Sequence, residues 1–231
     1  MIPHHHPSEL TLIDYARGNL SFGHTLVVGA HLETCAECRA AADQLSCVAD
    51  SVAGVFLDDE APMAMADEAL AYALARIERP LPQVAERQSG VTVPETKAAL
   101  VPDYLEGIRL PAGLDASTLG KRHWAAPGVW IAPIGPMKPS DGSRLYLMRV
   151  APGMKMPRHD HNGTERTLVL KGSFSDNTGT YRCGDLAELD EGHEHSPHIG
   201  GDETCICLIA SDGPLRTRTL IGHLLRPFTH I

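Results

Sequence analysis

With 231 residues and a hydrophobic content of 43%, the chain can form two domains that each bury a core. No apolar run approaches twenty residues, and the histidine-rich start lacks the basic and then apolar segments of a signal peptide, so we expect a cytoplasmic protein. The net charge is −9, and residues 1–80, with four Lys/Arg and twelve Asp/Glu, carry −8 of it. Such an acidic segment disfavours direct nucleic-acid binding and suits a basic protein partner.

Two short amphipathic helices are predicted near the N-terminus. Ser8 is a suitable N-cap for the first helix, Gly18 ends it, and Leu10 is expected to face the interior. Ser21 is the expected cap of the second helix. Its apolar residues, Phe22 among them, recur at helical spacing up to a cluster of potential metal ligands.

That cluster is the stretch His31-Leu-Glu-Thr-Cys35-Ala-Glu-Cys38. On a helix, His31 and Cys35 lie one turn apart on the same face, and Cys38 follows three residues later, so the three ligand atoms can converge. Zinc takes imidazole and thiolate ligands in closed four-coordinate sites, which leaves this motif one ligand short. We expect His6 to supply the fourth ligand, because it lies nearest the start of the first helix.

Spacing alone leaves other interpretations of these residues open. His4 and His5 could replace His6, or the three histidines could form a flexible tail. A Cys-x2-Cys pair can also be a redox motif, but that assignment requires a strand-to-helix junction in a βαβ pattern, which the sequence lacks. In a reducing cytoplasm, a spaced His/Cys set is better suited to zinc than to disulfides.

The remaining part of the first domain is also predicted to be helical. A third helix is expected from about residue 37 to residue 56, with Cys47 as a small core residue rather than a ligand. An acidic break at 58–60 precedes a fourth helix over 64–79, which has an apolar face of its own. We therefore predict a zinc-binding domain of about four helices over residues 1–80. Its last helix is predicted to be available to bind a partner.

The composition changes after residue 80. Residues 81–103 are rich in proline and polar side chains and are predicted to be a semi-rigid linker. Residues 104–231 contain short β-rich segments bounded by Gly and Pro, which indicate an all-β barrel or sandwich. The predicted strands are Val129–Ile134, Leu145–Val150, Thr167–Leu170, Asp185–Leu189 and Thr204–Ile209.

A second set of potential metal ligands lies within this β domain. His159 and His161 are two residues apart on a predicted strand, so both side chains point to the same side and can bind one ion. Glu165, after a short turn, adds a carboxylate oxygen. The fourth ligand is expected from another strand, where His195 is preferred among three candidates: His193, His195 and His198.

The pattern Gly153-x5-His159-x-His161-x3-Glu165 resembles the first metal motif of the cupins, and His195 stands in the place of the second-motif histidine. Cupins are double-stranded β-helix barrels that commonly bind a divalent metal through three His and one Glu. The resemblance implies an all-β cupin domain and an α+β multidomain chain. The sequence departs from the second motif, because Asp190-Glu-Gly192 replaces the usual Pro-x-Gly, which leaves the choice of histidine open.

The chain as a whole is similar to the ChrR family of zinc-dependent anti-sigma factors. The similarity rests on His6, His31-x3-Cys35-x2-Cys38-Arg39, the acidic helical segment and the cupin, and also on Cys205-Ile-Cys207 and Leu224-Leu-Arg-Pro-Phe228. It implies an extracytoplasmic-function sigma factor as partner, held by the zinc domain and released in response to singlet oxygen or organic peroxide. It also implies zinc at the first site, and zinc or another divalent metal at His159, His161, Glu165 and His195.

Two further alternatives concern the barrel. Three His and one Glu also resemble the metal sites of cupin dioxygenases, in which case the zinc domain would be a docking module. Cys205 and Cys207 share a strand face and could be oxidised by the signal, with Cys183 as a weaker candidate, or they could be small core residues. The anti-sigma factor remains the preferred interpretation.

Overall fold

The fold comes from a computed structural model that describes residues 2–57, 103–135, 143–213 and 215–217, without side-chain detail for 49–57 and 215–217. The predicted fourth helix lies outside the described residues, as does the predicted linker up to residue 102. The chain divides into two compact units, Met1–Ser46 with Leu100–Ile231, and Cys47–Ala99. The domain boundaries drawn at residues 80 and 103 stay a prediction.

Three helices are described, at the positions expected from sequence: α1 (Glu9–Ala16), α2 (Phe22–Thr34) and α3 (Ala36–Leu57). The Ser8 hydroxyl accepts a hydrogen bond from the Thr11 backbone N–H at 3.2 Å, which satisfies one of the free donors at the start of α1. The prediction of Ser8 as N-cap is therefore confirmed. Ser21 is the N-cap residue of α2, although its side chain makes no capping hydrogen bond.

The inward faces of these helices differ in part from the predicted ones. Leu10, expected to face the interior, and Phe22, one of the apolar residues at helical spacing in the second helix, are 67% and 71% exposed. Helix α1 instead buries Thr11, because its hydroxyl accepts a hydrogen bond from the Arg166 guanidinium at 2.9 Å. Cys47 is exposed, so its assignment to the core is wrong. At about 100° per residue, it lies about 140° around α3 from the buried Ala42.

In the described part of the β domain there are a short 3₁₀ turn (Asp103–Leu105) and ten strands. They are β1 (His123–Ala126), β2 (Val129–Pro133), β3 (Arg144–Val150), β4 (His159–His161), β5 (Glu165–Lys171), β6 (Ser173–Ser175), β7 (Thr180–Arg182), β8 (Leu186–Leu189), β9 (Cys205–Ser211) and β10 (Leu215–Thr217). All five predicted strands are present, as β2, β3, β5, β8 and β9. The main sheet has the order β1-β2-β3-β9-β5-β8, and the pairs β4–β10 and β6–β7 complete the domain.

Both faces of the main sheet are buried. Every residue of β9 is buried, with alternate side chains on opposite faces. One face forms the barrel interior, which contains Val129, Ile131, Tyr146, Val150, Val169, Cys205, Cys207 and Ile209. The other face shares one apolar cluster with α2, and this cluster contains Val27, Val28, Trp130, Leu145, Leu147, Leu168, Ile206, Leu208 and Ala210. The described helices and the barrel therefore share a core.

Helix α2 packs directly on the sheet at Gly23. A Cβ atom at position 23 would lie 3.5 Å from the Ala210 Cβ and 3.6 Å from the Leu145 Cβ, which is van der Waals contact with the sheet. Beside this contact, His24 Nε2 lies 2.8 Å from Asp212 Oδ1 at the end of β9. The packing of α2 thus combines apolar burial with a specific polar contact.

Candidate metal centres

The four predicted ligands of the first site converge. His6, His31, Cys35 and Cys38 each offer a ligand atom, and all four atoms lie within 4.8 Å of one another. His31 lies in the last turn of α2, Cys35 is the C-cap residue of that helix, and Cys38 lies in the first turn of α3. Because the backbone at Cys35 is extended, with φ −110° and ψ 103°, the motif spans a helix–helix junction.

The spacing of these atoms suits a tetrahedral zinc ion. His6 Nδ1 lies 3.4 Å from Cys35 Sγ and 3.3 Å from Cys38 Sγ. With Zn–S of about 2.3 Å and Zn–N of about 2.0 Å, tetrahedral geometry separates a nitrogen and a sulfur ligand by about 3.5 Å. The residues therefore fit zinc without a change of backbone.

His31 is prepared for metal binding by its surroundings. Its side chain is fully buried, and Nδ1 lies 2.9 Å from the carbonyl oxygen of Gly184, to which it donates. Nε2 has no hydrogen-bond partner among the described residues, so an unshared electron pair is buried beside the two sulfur atoms. Burial lowers the pKa of His31, which favours the neutral, ligating form of the imidazole.

The two thiols make the site electrostatically suited to a cation. Burial, followed by the neighbouring Cys35 sulfur, raises the pKa of Cys38 to about 12. Two thiolates this close repel each other unless positive charge lies between them. A divalent ion supplies that charge and displaces the protons, which makes zinc binding and folding of the junction interdependent.

The other two N-terminal histidines lie outside this cluster. The backbone N–H groups of His4 and His5 donate to Asp185 Oδ1 at 2.6 and 3.1 Å. The His5 ring packs on Tyr181 with ring centroids 4.4 Å apart. Among the three histidines, the structure therefore brings His6 to the cysteines.

The second cluster lies inside the barrel. His159 and His161 belong to β4, and His195 forms an isolated β-bridge with His159, so three imidazoles on two segments converge within 4.8 Å. All three are buried. His193 and His198 are exposed, so among the three candidates the structure places His195 with the motif.

Hydrogen bonds orient two of these imidazoles. His159 Nδ1 lies 2.7 Å from the carbonyl oxygen of Pro157, and His195 Nδ1 lies 2.9 Å from Asp176 Oδ2. Donation from Nδ1 leaves Nε2 of each ring available for a metal. His161 Nε2 and His195 Nε2 are 3.1 Å apart, close to the roughly 3.3 Å expected between two nitrogen ligands of one tetrahedral ion.

Glu165 lies at the edge of this cluster. Its Oε2 is 3.2 Å from His161 Nδ1, and its Oε1 accepts a hydrogen bond from the Thr167 hydroxyl at 3.1 Å. The carboxyl is buried, and burial raises its pKa to about 7. It is not among the atoms that converge within 4.8 Å, so the structure brings together three of the four predicted barrel ligands and places the fourth beside them.

The charge states at the barrel site also suit a metal. Burial, followed by the nearby His195, lowers the pKa of His159 to about 4. Burial, followed by the neighbouring histidines, lowers that of His161 to about 3. Although burial acts to raise the pKa of Asp176, hydrogen bonds from His195 and Thr178 lower it to about 2. Neutral imidazoles at His159 and His161, with an ionised Asp176 carboxylate beside His195, form a metal-binding arrangement.

A small cavity adjoins this site. Its volume is about 50 Å³, and its lining is mostly apolar, with His159, Glu165 and His195 on one side. Cys205 and Cys207 also line it, and their sulfur atoms are 3.6 Å apart. The expectation that these two thiols share a face directed into the barrel is confirmed.

Three residues near the two centres escaped the sequence analysis: Asp176, Gly184 and Asp185. Each lies in a turn and contacts a candidate ligand or a residue close to one. The contacting residues are distant in the sequence, so the sequence does not reveal these contacts. Asp176 is followed by Asn-Thr-Gly, which signals a turn but not a contact with His195. Local signals therefore indicated the ligands and missed the groups that orient them.

Comparisons with known proteins agree with this architecture. A zinc-finger family model matches residues 11–39, and the model of the ChrR Cupin-like domain matches residues 115–215. The chain is 35% identical over 229 residues to the anti-sigma-E factor ChrR of Cereibacter sphaeroides, covering 98% of both proteins. In the crystal structure of Rhodobacter sphaeroides SigE in complex with the anti-sigma ChrR, the similar chain is 31% identical, with a TM-score of 0.65 and coverage of 91% of this chain and 99% of that one.

These similarities confirm the α+β fold class, with N-terminal helices and a C-terminal cupin. The zinc-finger match and the His/Cys cluster together indicate zinc in the N-terminal region. In the described part of the chain, none of the helices combines the length and apolar character needed to cross a membrane. Because the similarity extends over nearly the full length of both sequences, the chain belongs to the ChrR family of anti-sigma factors.

Proposed function

We propose that this chain is a cytoplasmic anti-sigma factor that binds an extracytoplasmic-function sigma factor and releases it under oxidative stress. The observation that carries the proposal is a full-length match, 35% identical over 98% of both chains, to an anti-sigma factor. Both clusters of potential metal ligands accompany that match. The partner itself is carried over from the relatives.

The N-terminal helices have suitable properties for this partner. Residues 1–80 carry a net charge of −8, which complements a basic surface of a protein that otherwise contacts DNA or polymerase. Leu10 and Phe22 are exposed apolar side chains on α1 and α2, and each can be buried by a partner. On this proposal, His6, His31, Cys35 and Cys38 bind the zinc that joins α2 to α3.

The barrel is proposed to receive the signal. Its cavity of about 50 Å³, lined in part by His159, Glu165 and His195, has room for a small oxidant beside the candidate ligands. A metal held by His159, His161 and His195, with Glu165 beside it, would provide the site at which oxygen species react. Both singlet oxygen and organic peroxide remain candidates for the signal.

Cys205 and Cys207 are a possible second target of the oxidant. Their sulfur atoms are close, but the hydrogen bond with Cys205, followed by burial, raises the pKa of Cys207 well above its ordinary value. A protonated thiol is a poor nucleophile, so Cys207 is less reactive than an exposed thiol. If a Cys205→Ser/Cys207→Ser variant releases its partner normally under oxidant, the thiols have no role in the response.

The binding function is tested with the full-length chain. We expect the tagged chain to recover one small sigma factor from its native cytoplasm in near-equal amount, as identified by mass spectrometry. The purified chain should then inhibit transcription by RNA polymerase with that sigma factor at a 1:1 ratio. A folded, zinc-loaded chain that neither recovers a sigma factor nor inhibits transcription would contradict the proposal.

The sensing function needs a separate test. A His161→Gln variant should still inhibit transcription but should no longer release the sigma factor when a photosensitiser generates singlet oxygen. Cys47→Ser is the matched control, because Cys47 is an exposed residue outside both clusters. Normal release by the His161→Gln variant would remove the barrel metal from the response.

A metal-dependent oxygenase is the second candidate, and the three-histidine cluster with Glu165 beside it is the observation that favours it. The full-length match to an anti-sigma factor favours the anti-sigma proposal over this one. The two are separated by metal analysis of the native protein and by oxygen consumption with candidate substrates. Sustained turnover on a redox-active metal would support the oxygenase.

A further inference from the structure

The barrel contacts the zinc cluster through one turn, Gly184-Asp185, which connects β7 to β8. The Gly184 carbonyl oxygen accepts a hydrogen bond from His31 Nδ1 at 2.9 Å. The Asp185 carboxylate accepts hydrogen bonds from the two backbone N–H groups that precede His6. The turn therefore contacts one zinc ligand directly and holds the chain segment that carries another.

Asp185 is well placed to fix that N-terminal segment. It is 1% exposed, and Oδ1 accepts from the N–H groups of His4 and His5 at 2.6 and 3.1 Å. Two successive N–H groups that point at one carboxylate oxygen fix the backbone conformation of the segment. The Leu186 N–H also donates to the His5 carbonyl oxygen at 3.1 Å, which fixes the segment beside β8. The position of His6 is set by these contacts.

The turn itself is built into the barrel wall. The Gly184 N–H donates to the Val169 carbonyl oxygen at 2.8 Å, and the Val169 N–H donates to the Asp185 carbonyl oxygen at 3.1 Å. Gly184 has φ +92°, which favours glycine, and a Cβ there would lie 3.3 Å from Pro3 Cγ. Val169 belongs to β5, the strand that begins at Glu165. The turn that supports the zinc site is thus hydrogen-bonded to β5, the strand that begins with the barrel-site residue Glu165.

We propose that the Gly184-Asp185 turn holds His6 and His31 in the orientation that zinc requires, so that the barrel determines how firmly the first site retains its metal. His31 receives the backbone contact that commonly orients a metal-binding imidazole. Asp185 is a positioning residue, since it acts through the segment before His6. The inference concerns the zinc site alone and is independent of whether the chain binds a sigma factor.

Replacement of Asp185 in the full-length chain tests this inference. The chain is loaded with Co²⁺, and the thiolate-to-cobalt absorption is followed after addition of excess EDTA. Only a site with cysteine ligands gives this band, so a metal bound by the barrel histidines does not interfere. Removal of groups that orient metal ligands typically weakens metal binding by about 10–100-fold, so we expect the band of Asp185→Ala to disappear at least tenfold faster.

Two further variants complete the design. Asp185→Asn keeps one acceptor oxygen and should give an intermediate rate. Asp212→Asn alters the 2.8 Å contact with His24 at the other end of α2 and should stay within twofold of the unmodified chain. Circular dichroism confirms that each variant is folded, and Asp185→Asn decides the question if Asp185→Ala does not fold. The proposal is overturned if the deciding Asp185 variant stays within twofold of the unmodified chain, or if Asp212→Asn accelerates cobalt loss as much.

Discussion

The two candidate metal centres are built in opposite ways. Three ligands of the first, His31, Cys35 and Cys38, lie within eight residues at a helix–helix junction, and the fourth comes from an N-terminal segment. The barrel histidines lie on β4 and on a segment that pairs with β4 through backbone hydrogen bonds. A metal would therefore join separate segments of chain at the first site, whereas at the second it would occupy a position that paired backbone segments have already formed.

The donor atoms of the two sites differ as well. Two thiols face each other at the first site, and a divalent ion is needed to balance them as thiolates. The barrel offers imidazoles, with a carboxyl nearby whose pKa burial raises to about 7. Soft thiolates favour zinc, whereas imidazole and carboxylate accept several divalent metals. Loss of metal should consequently disturb structure at the first site and chemistry at the second.

The largest expected effect is that of Cys38→Ala. The variant should lose zinc at the first site, and its affinity for the sigma factor should fall at least about 100-fold, because metal binding supplies folding free energy at the α2–α3 junction. Zinc content is measured by mass spectrometry and sigma binding by calorimetry. Since α2 also packs on the barrel, far-UV circular dichroism should show a partial loss of helix rather than complete unfolding.

Cys47→Ala is the matched control for Cys38→Ala. Cys47 lies on the same helix, but it is exposed and outside the ligand cluster. The Cys47→Ala variant should retain its zinc and its affinity for the sigma factor. Full zinc content and full affinity in Cys38→Ala would show that the first site does not depend on this thiol.

His161→Gln should have a more local effect. His161 is fully buried at the barrel site, and its replacement should reduce the barrel metal from about one ion per chain to nearly none. The thiolate-to-cobalt band of the first site should be unchanged, and the melting temperature should fall less than in Cys38→Ala. Simultaneous loss of both metals would contradict the distinction between a first site at which the metal joins separate segments and a barrel site that is preformed.

The sequence predicted those parts of the two sites that depend on local spacing. The spacing of His31, Cys35 and Cys38, and that of His159 and His161, brings ligands close together within a short stretch of chain, which the sequence can show. From the sequence, His6 and His195 could be preferred over the neighbouring histidines, but the choice could not be decided. It depends on which ring reaches a ligand cluster in another part of the chain.

The sequence failed where a long-range contact outweighed local hydrophobicity. Leu10 is exposed while Thr11 is buried, because Arg166 provides a partner for the Thr11 hydroxyl from 155 residues away. By sequence, Asp176 is an ordinary turn residue and Asp185 begins a predicted strand, yet one orients His195 and the other holds the segment before His6. These roles become visible only when the topology is known.

Asp176→Asn tests whether the preformed barrel site depends on its supporting hydrogen bond. The loss of the ionised carboxylate behind His195 should weaken barrel-metal binding by about 10–100-fold, with little change at the first site. Metal competition titrations provide the measurement. Asp115→Asn is the matched control. Like Asp176, Asp115 accepts hydrogen bonds from residues of its own turn, but that turn is exposed. Equal weakening in both variants would exclude a specific role for Asp176.

The smallest expected effect concerns the contact between α2 and the barrel outside both metal centres. His24 is 2% exposed, and burial lowers its pKa, although Asp212 acts to raise it. Below about pH 6.5 the His24 imidazole is protonated in the unfolded chain but less readily in the folded chain. His24 therefore lowers the free energy of unfolding as the pH falls through that value. In His24→Gln, the free energy of unfolding should fall less between pH 7.5 and pH 5.5 than in the unmodified chain, as measured by urea denaturation. Equal falls would mean that His24 does not contribute to the pH dependence of stability.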